Sequence, residues 1–344
     1  MTAMTRPYYY LLIVLSCTGW LSGQSPAPYT LAFTPEGRYP EGIAYQPSDS
    51  TIYVTSLADG VVGTIRPDGT YDVFSADAGL ISSAGLALDT VRHRLYVAVH
   101  DDGASVRSDS ATEGRLARLI VLDTRTGVTL RTDELHQLTR GGGRSHGNDV
   151  TLDTAGNVYL TDSFRPLIYR VTPAGEASVF LRDPVFEKIS QEDDTPALNG
   201  ITYHPDGFLI VTNYERGRLY RIPLDDPTTF AEITLSDSLQ GADGIELVNA
   251  NQLAVARTYT DTSGTFVSEV AVVTSYDGWQ SARLTQQLRP STLDCPTTVK
   301  IVRDELYATN SKFRELFEAP EEEQTTEAFT LTRIALPVPS IPRR

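Results

Sequence analysis

Short runs of apolar, β-branched and aromatic residues, broken by polar turns, recur along most of the chain, and helical periodicity is nearly absent. One pattern repeats: a small or polar residue often followed by glycine, apolar positions, a turn, then a β-rich run ending in a polar residue. It reads PEGIAYQPSDSTIYVTS from Pro40, SAGLALDTVRHRLYVAVH from Ser83 and GNDVTLDTAGNVYLTDS from Gly147. It returns as LNGITYHPDGFLIVTN from Leu198, ADGIELVNANQLAVAR from Ala242 and PTTVKIVRDELYATN from Pro296. Each copy predicts two short antiparallel strands. Two more follow in several units, such as VGTI and YDVF around the turn Arg66–Gly69, and LIYRV and EASVF around Thr172–Gly175. Six four-stranded units predict an all-β, six-bladed β-propeller. Both termini are expected to close it. FTLTRIAL (Phe329–Leu336) supplies the third strand of the last blade and YTLAF (Tyr29–Phe33) its outer strand, leaving no open edge. A two-sheet sandwich would not account for six similar units. Residues 101–116 and 258–268 read as polar loops, and the stretch from Ser311, SKFRELFEAPEEEQ, as an inserted helix with a solvated acidic run.

Composition narrows the function. The 344 residues carry a formal charge of −15, with 29 Lys and Arg against 44 Asp and Glu, which leaves no electrostatic footprint for nucleic acid. Two cysteines, Cys17 and Cys295, exclude a disulfide framework and a thiolate metal cluster. The apolar run Tyr8–Leu15 is too short to span a bilayer. It follows Arg6, precedes small residues, and no acidic residue occurs before Glu36. That pattern predicts a signal peptide over residues 1–23, a single propeller domain over 24–344, and a periplasmic or secreted monomer. Lipidation at Cys17 is the competing reading, and Leu15 suits it poorly. Cys295 reads as a buried small side chain.

The innermost strand of each propeller blade lines the central channel, so the first residues of the six repeats should meet in a ring. These anchors are Glu41, Ala84, Asn148, Asn199, Asp243 and Thr297. The second strands end at Ser56, His100, Asp162, Asn213, Arg257 and Asn310, at nearly constant spacing from the anchors, which suggests a second ring on the same face. Four anchors offer oxygen: the carboxylates of Glu41 and Asp243 and the amides of Asn148 and Asn199. Hard cations take oxygen ligands, and two carboxylates at one channel mouth repel each other unless a cation lies between them. A Ca²⁺ site is therefore expected, and the same oxygen ligands could hold another divalent cation. Each of the four residues alone could equally cap a turn; their equivalence in a closed ring is what speaks for a site.

Other residues carry less. His146, two positions before Asn148, reads as a loop residue that could overhang the entrance. His136 and His204 lie in polar turn contexts and have no assigned role. Arg257 and Asp162 fit a structural ion pair as well as a substrate contact. The segment TRGGGRSHG (Thr139–Gly147) precedes a strand, not the helix a phosphate cradle needs, and reads as a mobile loop beside the site.

With PEGIAY, GNDV, LNGITYHPDG and ADGIEL in place, the chain resembles the six-bladed calcium-dependent hydrolase propellers of the SMP-30, gluconolactonase and regucalcin group, and more distantly paraoxonases and diisopropyl fluorophosphatase. The resemblance spans roughly residues 29–337. It implies calcium ligation by Glu41, Asn199 and Asp243, with Asn148 as a further ligand or nearer the substrate. It implies that His100 in VAVHDDG and Asp149 after Asn148 correspond to paraoxonase positions. Gly42 after Glu41, and the absence of Asn after the blade-five DG, depart from paraoxonases and bring the chain nearer to the gluconolactonase-like group.

The expected function is an exported Ca²⁺-dependent hydrolase of small-molecule lactones or esters. The cation would stabilise the developing oxyanion, and a base would activate water. Asp243 and His100 are both candidates for the base; Asn148, Asp149, His146 and Arg257 are candidates for substrate contact. A non-catalytic binding propeller with a structural ion is the alternative, and a strictosidine-synthase-like condensing enzyme a third.

Overall fold

Six sheets, antiparallel apart from one short parallel pair in each of two of them, make the blades of a propeller. The structure is a computed structural model that describes residues 30–33, 38–139, 143–190, 195–320, 323–324 and 328–336. The expected leader at 1–23, with Cys17, lies outside the described residues. Blade one consists of Pro40–Gln46, Thr51–Ser56, Val62–Ile65 and Tyr71–Ser75, and blade two of Ser82–Asp89, Arg94–His100, Arg118–Asp123 and Thr129–Glu134. Blade three holds Ser145–Leu152, Val158–Asp162, Leu167–Val171 and Ala177–Arg182; blade four Leu198–His204, Phe208–Asn213, Arg218–Pro223 and the short Ala231–Glu232. Blade five holds Ala242–Asn249, Gln252–Thr260, Phe266–Thr274 and Ser281–Leu288. Blade six combines Val299–Val302, Glu305–Asn310 and Phe329–Ile334 with Thr30–Phe33 as its outer strand, so both ends of the chain close the ring as expected. The inserted helix spans Phe313–Glu318.

The strand sequences follow from their positions. A second strand is covered by a neighbouring blade on both faces, so it reads as a continuous apolar run: Arg94–His100 is buried at every position but the first. An outer strand has one wet face and alternates, as Thr129–Glu134 does. The core is accordingly divided into six clusters, each shared by two adjacent blades. One joins Tyr96, Leu119 and Val121 of blade two to Val150, Leu160 and Tyr169 of blade three. Another joins Tyr39 and Ile43 of blade one to Phe329 and Leu331 of blade six.

The centre is narrower than a sheet of ordinary side chains permits. In blades one to five the pairing of the first two strands slips at the anchor, between Pro40 and Ile43, Ser83 and Leu86, Gly147 and Val150, Leu198 and Ile201, and Ala242 and Ile245. Each slip is a bulge that re-aims the residues inside it. The glycine after the anchor meets the next blade: a Cβ on Gly42 would lie 2.4 Å from the carbonyl oxygen of Ala84, and one on Gly200 only 2.2 Å from that of Asp243. Threonine hydroxyls stitch the same junctions. Thr55 Oγ1 accepts from the Gly42 N–H and donates to the Ala84 carbonyl, both at 2.7 Å. Thr161 Oγ1 accepts from Asp149 N–H at 3.1 Å and donates to the Asn199 carbonyl at 2.7 Å. Thr297 Oγ1 donates to the Glu41 carbonyl at 3.0 Å and ties the last blade to the first.

Two expectations are corrected. Residues 258–268 are not a loop: the hairpin stays paired from Arg257 and Glu269 out to Thr260 and Phe266, and only the turn at its tip is irregular. His146 is not in a loop either, because the first strand of blade three starts at Ser145, where it also pairs in parallel with Arg115–Leu116.

If the close approach of the inner strands sustains the ring, Gly200→Ala should destabilise the protein by about 3 kcal/mol through overpacking against backbone. Gly69→Ala, at a turn with nothing within 4 Å, should cost only about 1 kcal/mol from its positive φ. Chemical denaturation of the two variants measures the difference.

Candidate functional site

The bulges deliver the anchors to the floor of one cavity of about 320 Å³ at the channel mouth, lined among others by Glu41, Asn148, Asn199, Asp243, His100, Asp102 and His146. Glu41, Asn148 and Asn199 are buried, and Glu41 Oε2, Asn148 Oδ1 and Asn199 Oδ1 each lack a hydrogen-bond partner. Buried acceptors are ordinarily satisfied, so three orphaned oxygens around one space are unusual. Burial, then the charge of Asp243 and then that of Asp149, push the Glu41 carboxyl well above its usual pKa. Asp243 is pushed up by burial and by Asp149, against hydrogen bonds from the Gly244 N–H and Asn199. Among the described residues no three His, Cys, Asp or Glu converge as a metal cluster. The donor set is instead two carboxylates and two amides. The orphaned oxygens and the mutual repulsion of the carboxylates suit a hard divalent cation, which takes oxygen ligands.

A second group lies beside these oxygens. His100 Nδ1 is 3.2 Å from the Gly147 carbonyl, which can only accept, so this nitrogen carries the hydrogen. His100 Nε2 faces Asp102 Oδ2 at 3.5 Å. Burial opposes the charge of Asp102, but the hydrogen bond and charge of His100 prevail and hold its pKa at about 2. The His146 ring stacks on His100 with centroids 3.6 Å apart and leans on Phe164. Burial first, and the neighbouring His100 second, lower the His146 pKa well below that of a free imidazole. Two stacked imidazoles cannot both be charged cheaply, and burial opposes charge on His146.

Two predicted contacts lie elsewhere. Asp149 follows Asn148 and turns to the opposite side of the strand, where it accepts from the Val150 N–H at 2.8 Å and the Ile201 N–H at 3.0 Å. It lines a separate cavity of about 200 Å³ with Glu246 and Lys300, whose side chains are 2.8 Å apart. Burial raises the pKa of Asp149 to about 6 against its hydrogen bonds and the pull of Lys300. Arg257 is buried in an ion pair with Glu269, which Arg289 also engages at 2.6 Å, and it lines a different groove with Tyr259. Its partner is Glu269, not Asp162; the latter accepts from Ser145 Oγ at 2.5 Å and Tyr169 OH at 3.1 Å.

The second ring is likewise displaced. Of the six strand ends only His100 lines the cavity. In three of the other blades the following residue does, as Leu57, Tyr214 and Thr258, because neighbouring side chains along extended backbone point to opposite sides. Ser56, Asn213 and Asn310 turn into their own blades to bond Arg38 O, Arg216 N–H and the hydroxyls of Thr330 and Thr332. His136 and His204 stay outside the site, the latter packed flat on Phe208 with Nε2 2.9 Å from Ala250 O. Cys295 lines the cavity as a buried thiol whose pKa burial raises to about 11. The inserted helix also reaches the cavity, through Phe313, Arg314, Phe317 and Glu318. Asp102 and this helix were absent from the expected site. The HDD run after a strand end was the one sequence signal for Asp102; nothing local signalled the helix.

The chain matches no protein-family model and no curated protein. Among solved structures it is similar to the calcium-binding protein regucalcin from Agrobacterium tumefaciens, at 18% identity, a TM-score of 0.58, and 88% and 92% coverage of this chain and that one. It is similar to a gluconolactonase from Xanthomonas campestris at 17% identity, a TM-score of 0.57 and 90% coverage of both chains. It is also similar to virginiamycin B lyase from Staphylococcus aureus, at 12% identity and a TM-score of 0.55, over 90% of this chain and 99% of that one. At these identities the likeness establishes a shared architecture, the six-bladed propeller common to gluconolactonase-like and regucalcin-like proteins.

Proposed function

We propose that this chain is an exported, metal-dependent hydrolase of lactones or esters, with Ca²⁺ or a similar divalent ion held by Glu41, Asn148, Asn199 and Asp243. The observation that carries the reading is the convergence of three partnerless buried oxygens and two mutually repelling carboxyls on one cavity floor. The architecture shared with a gluconolactonase and a calcium-binding regucalcin supports it. The same architecture in a lyase means that the fold alone does not choose the reaction. The basic and apolar pattern of residues 1–23 supports export.

When bound, the ion would act as a Lewis acid toward the substrate carbonyl oxygen. The chain's own residues account for the proton. In its neutral form His100 keeps its hydrogen on Nδ1 toward Gly147 O, and Nε2 is then the atom that can take a proton from an attacking water. Asp102, held ionised beside Nε2, stabilises the imidazolium as it forms. His146, kept neutral by burial and by His100, supports the ring without competing for the proton. Asp243 would be the weaker base of the two, since holding a cation would lower the proton affinity of its carboxylate. Burial of the site excludes bulk water from the developing charges and strengthens these interactions.

Calcium added to chelator-treated protein should raise the melting temperature, with stabilisation of about 2.7 kcal/mol at a hundredfold excess over Kd. Glu41→Gln and Asp243→Asn should abolish that response while still unfolding cooperatively. The pH dependence has a definite sign. Both carboxyls have raised pKa values in the folded chain, so the ion-free protein is favoured at acid pH, where they are protonated. Its stability falls as pH rises through their ionisation, and the calcium-induced shift grows over the same range; thermal melts at several pH values, with and without calcium, measure both.

His100→Gln should lower kcat on a responsive lactone or aryl ester by about 10²- to 10⁴-fold, and Asp102→Asn by less, with the calcium response intact in both. Steady-state kinetics with and without chelator check this. Calcium binding without chelator-sensitive turnover on any substrate would favour the non-catalytic propeller.

A further inference from the structure

The cavity is chemically divided. Its floor holds the charged and amide groups, whereas its walls and rim are built from Leu57, Phe164, Tyr214, Phe266, Phe313 and Phe317. Phe266 and Phe317 remain 37% and 53% exposed, and together with Phe313 they make a contiguous apolar surface at the opening. Most polar groups at the rim are already engaged; the Thr258 hydroxyl, buried without a partner, is the exception. The Arg314 guanidinium lies 4.6 Å from the centroid of the Phe266 ring and 3.1 Å from Glu318. Arg144 lies 4.2 Å from the centroid of Phe164, and Tyr214 OH donates to the Thr258 carbonyl. The Arg314–Phe266 contact joins the inserted helix of blade six to the extended hairpin of blade five, so two separate additions to the repeat bring their aromatic rings to one opening.

A sugar lactone carries hydroxyls on most of its ring carbons, and each hydroxyl buried without a partner costs free energy. This rim offers such a substrate mainly aromatic carbon, with the single hydroxyl of Thr258 unpartnered. From this division we infer that the substrate is a lactone or ester with an apolar alkyl or aryl tail. The carbonyl end meets the polar floor and the tail lies against Phe266, Phe313 and Phe317. The inference rests on the proposed hydrolase reading for the reacting group, and on the rim alone for the tail.

The test uses the full chain with calcium and a series of γ-lactones bearing tails from methyl to hexyl, beside glucono-δ-lactone. Matching alkyl γ-lactams, which resist hydrolysis, are titrated by calorimetry. The expected kcat/KM rises about fourfold per methylene, flattening as the tail outgrows the cavity, and lactam affinity rises in parallel with a negative heat-capacity change. Phe266→Ser and Phe317→Ser should each reduce that dependence on tail length and leave the calcium-induced melting shift in place. Lactams that bind with tail-length dependence while no lactone is hydrolysed would sustain the apolar-tail inference and sink the hydrolase reading. Turnover that is flat in tail length, or fastest on glucono-δ-lactone, would overturn the inference and leave the hydrolase reading standing. A chain that neither binds the lactams nor hydrolyses any lactone would overturn both.

Discussion

The innermost strands approach one another so closely that at Gly42, Gly200 and Gly244 the carbonyl of the next blade occupies the place of a side chain. Gly42 and Gly200 leave no room for a Cβ against the carbonyl of the next blade, and the hydroxyls of Thr55, Thr161 and Thr297 bridge the same seams. The bulges at the starts of blades one to five are the geometric consequence. They release two residues per strand from the ladder and turn the anchor toward the channel mouth. The site is thus assembled by the closure of the ring itself, since its oxygens come from blades one, three, four and five and meet only when the seams between blades are closed.

That assembly concentrates negative charge where little water reaches. Glu41 and Asp243 raise each other's cost of ionisation, and Asp149 adds to both from the far side of the strands. The two ends of the channel meet this load differently. At the far cavity, the Lys300 ammonium contacts Glu246 and its charge favours ionised Asp149. At the mouth, no Lys or Arg side chain is among the partners that shift Glu41 or Asp243. The proposed cation answers that imbalance, and the partnerless oxygens of Glu41, Asn148 and Asn199 are the groups it would satisfy.

Beside the oxygens, the stacked imidazoles divide one role. The Gly147 carbonyl selects the tautomer of His100, Asp102 lies next to its free lone pair, and burial keeps His146 neutral. Above them the aromatic rim is supplied by elements outside the four-stranded repeat: the helix Phe313–Glu318 and the tip of the blade-five hairpin. The repeat therefore builds the polar floor, and departures from the repeat build the apolar walls, so the reacting group and the rest of a ligand are met by separate parts of the chain.

The repeat period, the closing strands and the four oxygen-bearing anchors were readable in the linear chain because each obeys a local rule: alternation of strands, a glycine after Glu41, Asn199 and Asp243, and equivalent positions in successive copies. Asp149 and Arg257 were misplaced for a reason just as local. Side chains along extended backbone alternate, so adjacent residues in one motif face different cavities, and the strand ends other than His100 point into their own blades. The pairing of Arg257 with Glu269, the contact of Asp102 with His100, and the meeting of Phe266 with Arg314 link residues through hairpin lengths and blade rotation, which no spacing in the chain encodes. Periodicity specifies which residues sit at equivalent places in the ring; how far a hairpin extends and which way an irregular segment folds over it depend on packing between blades, and that packing exists only once the ring has closed.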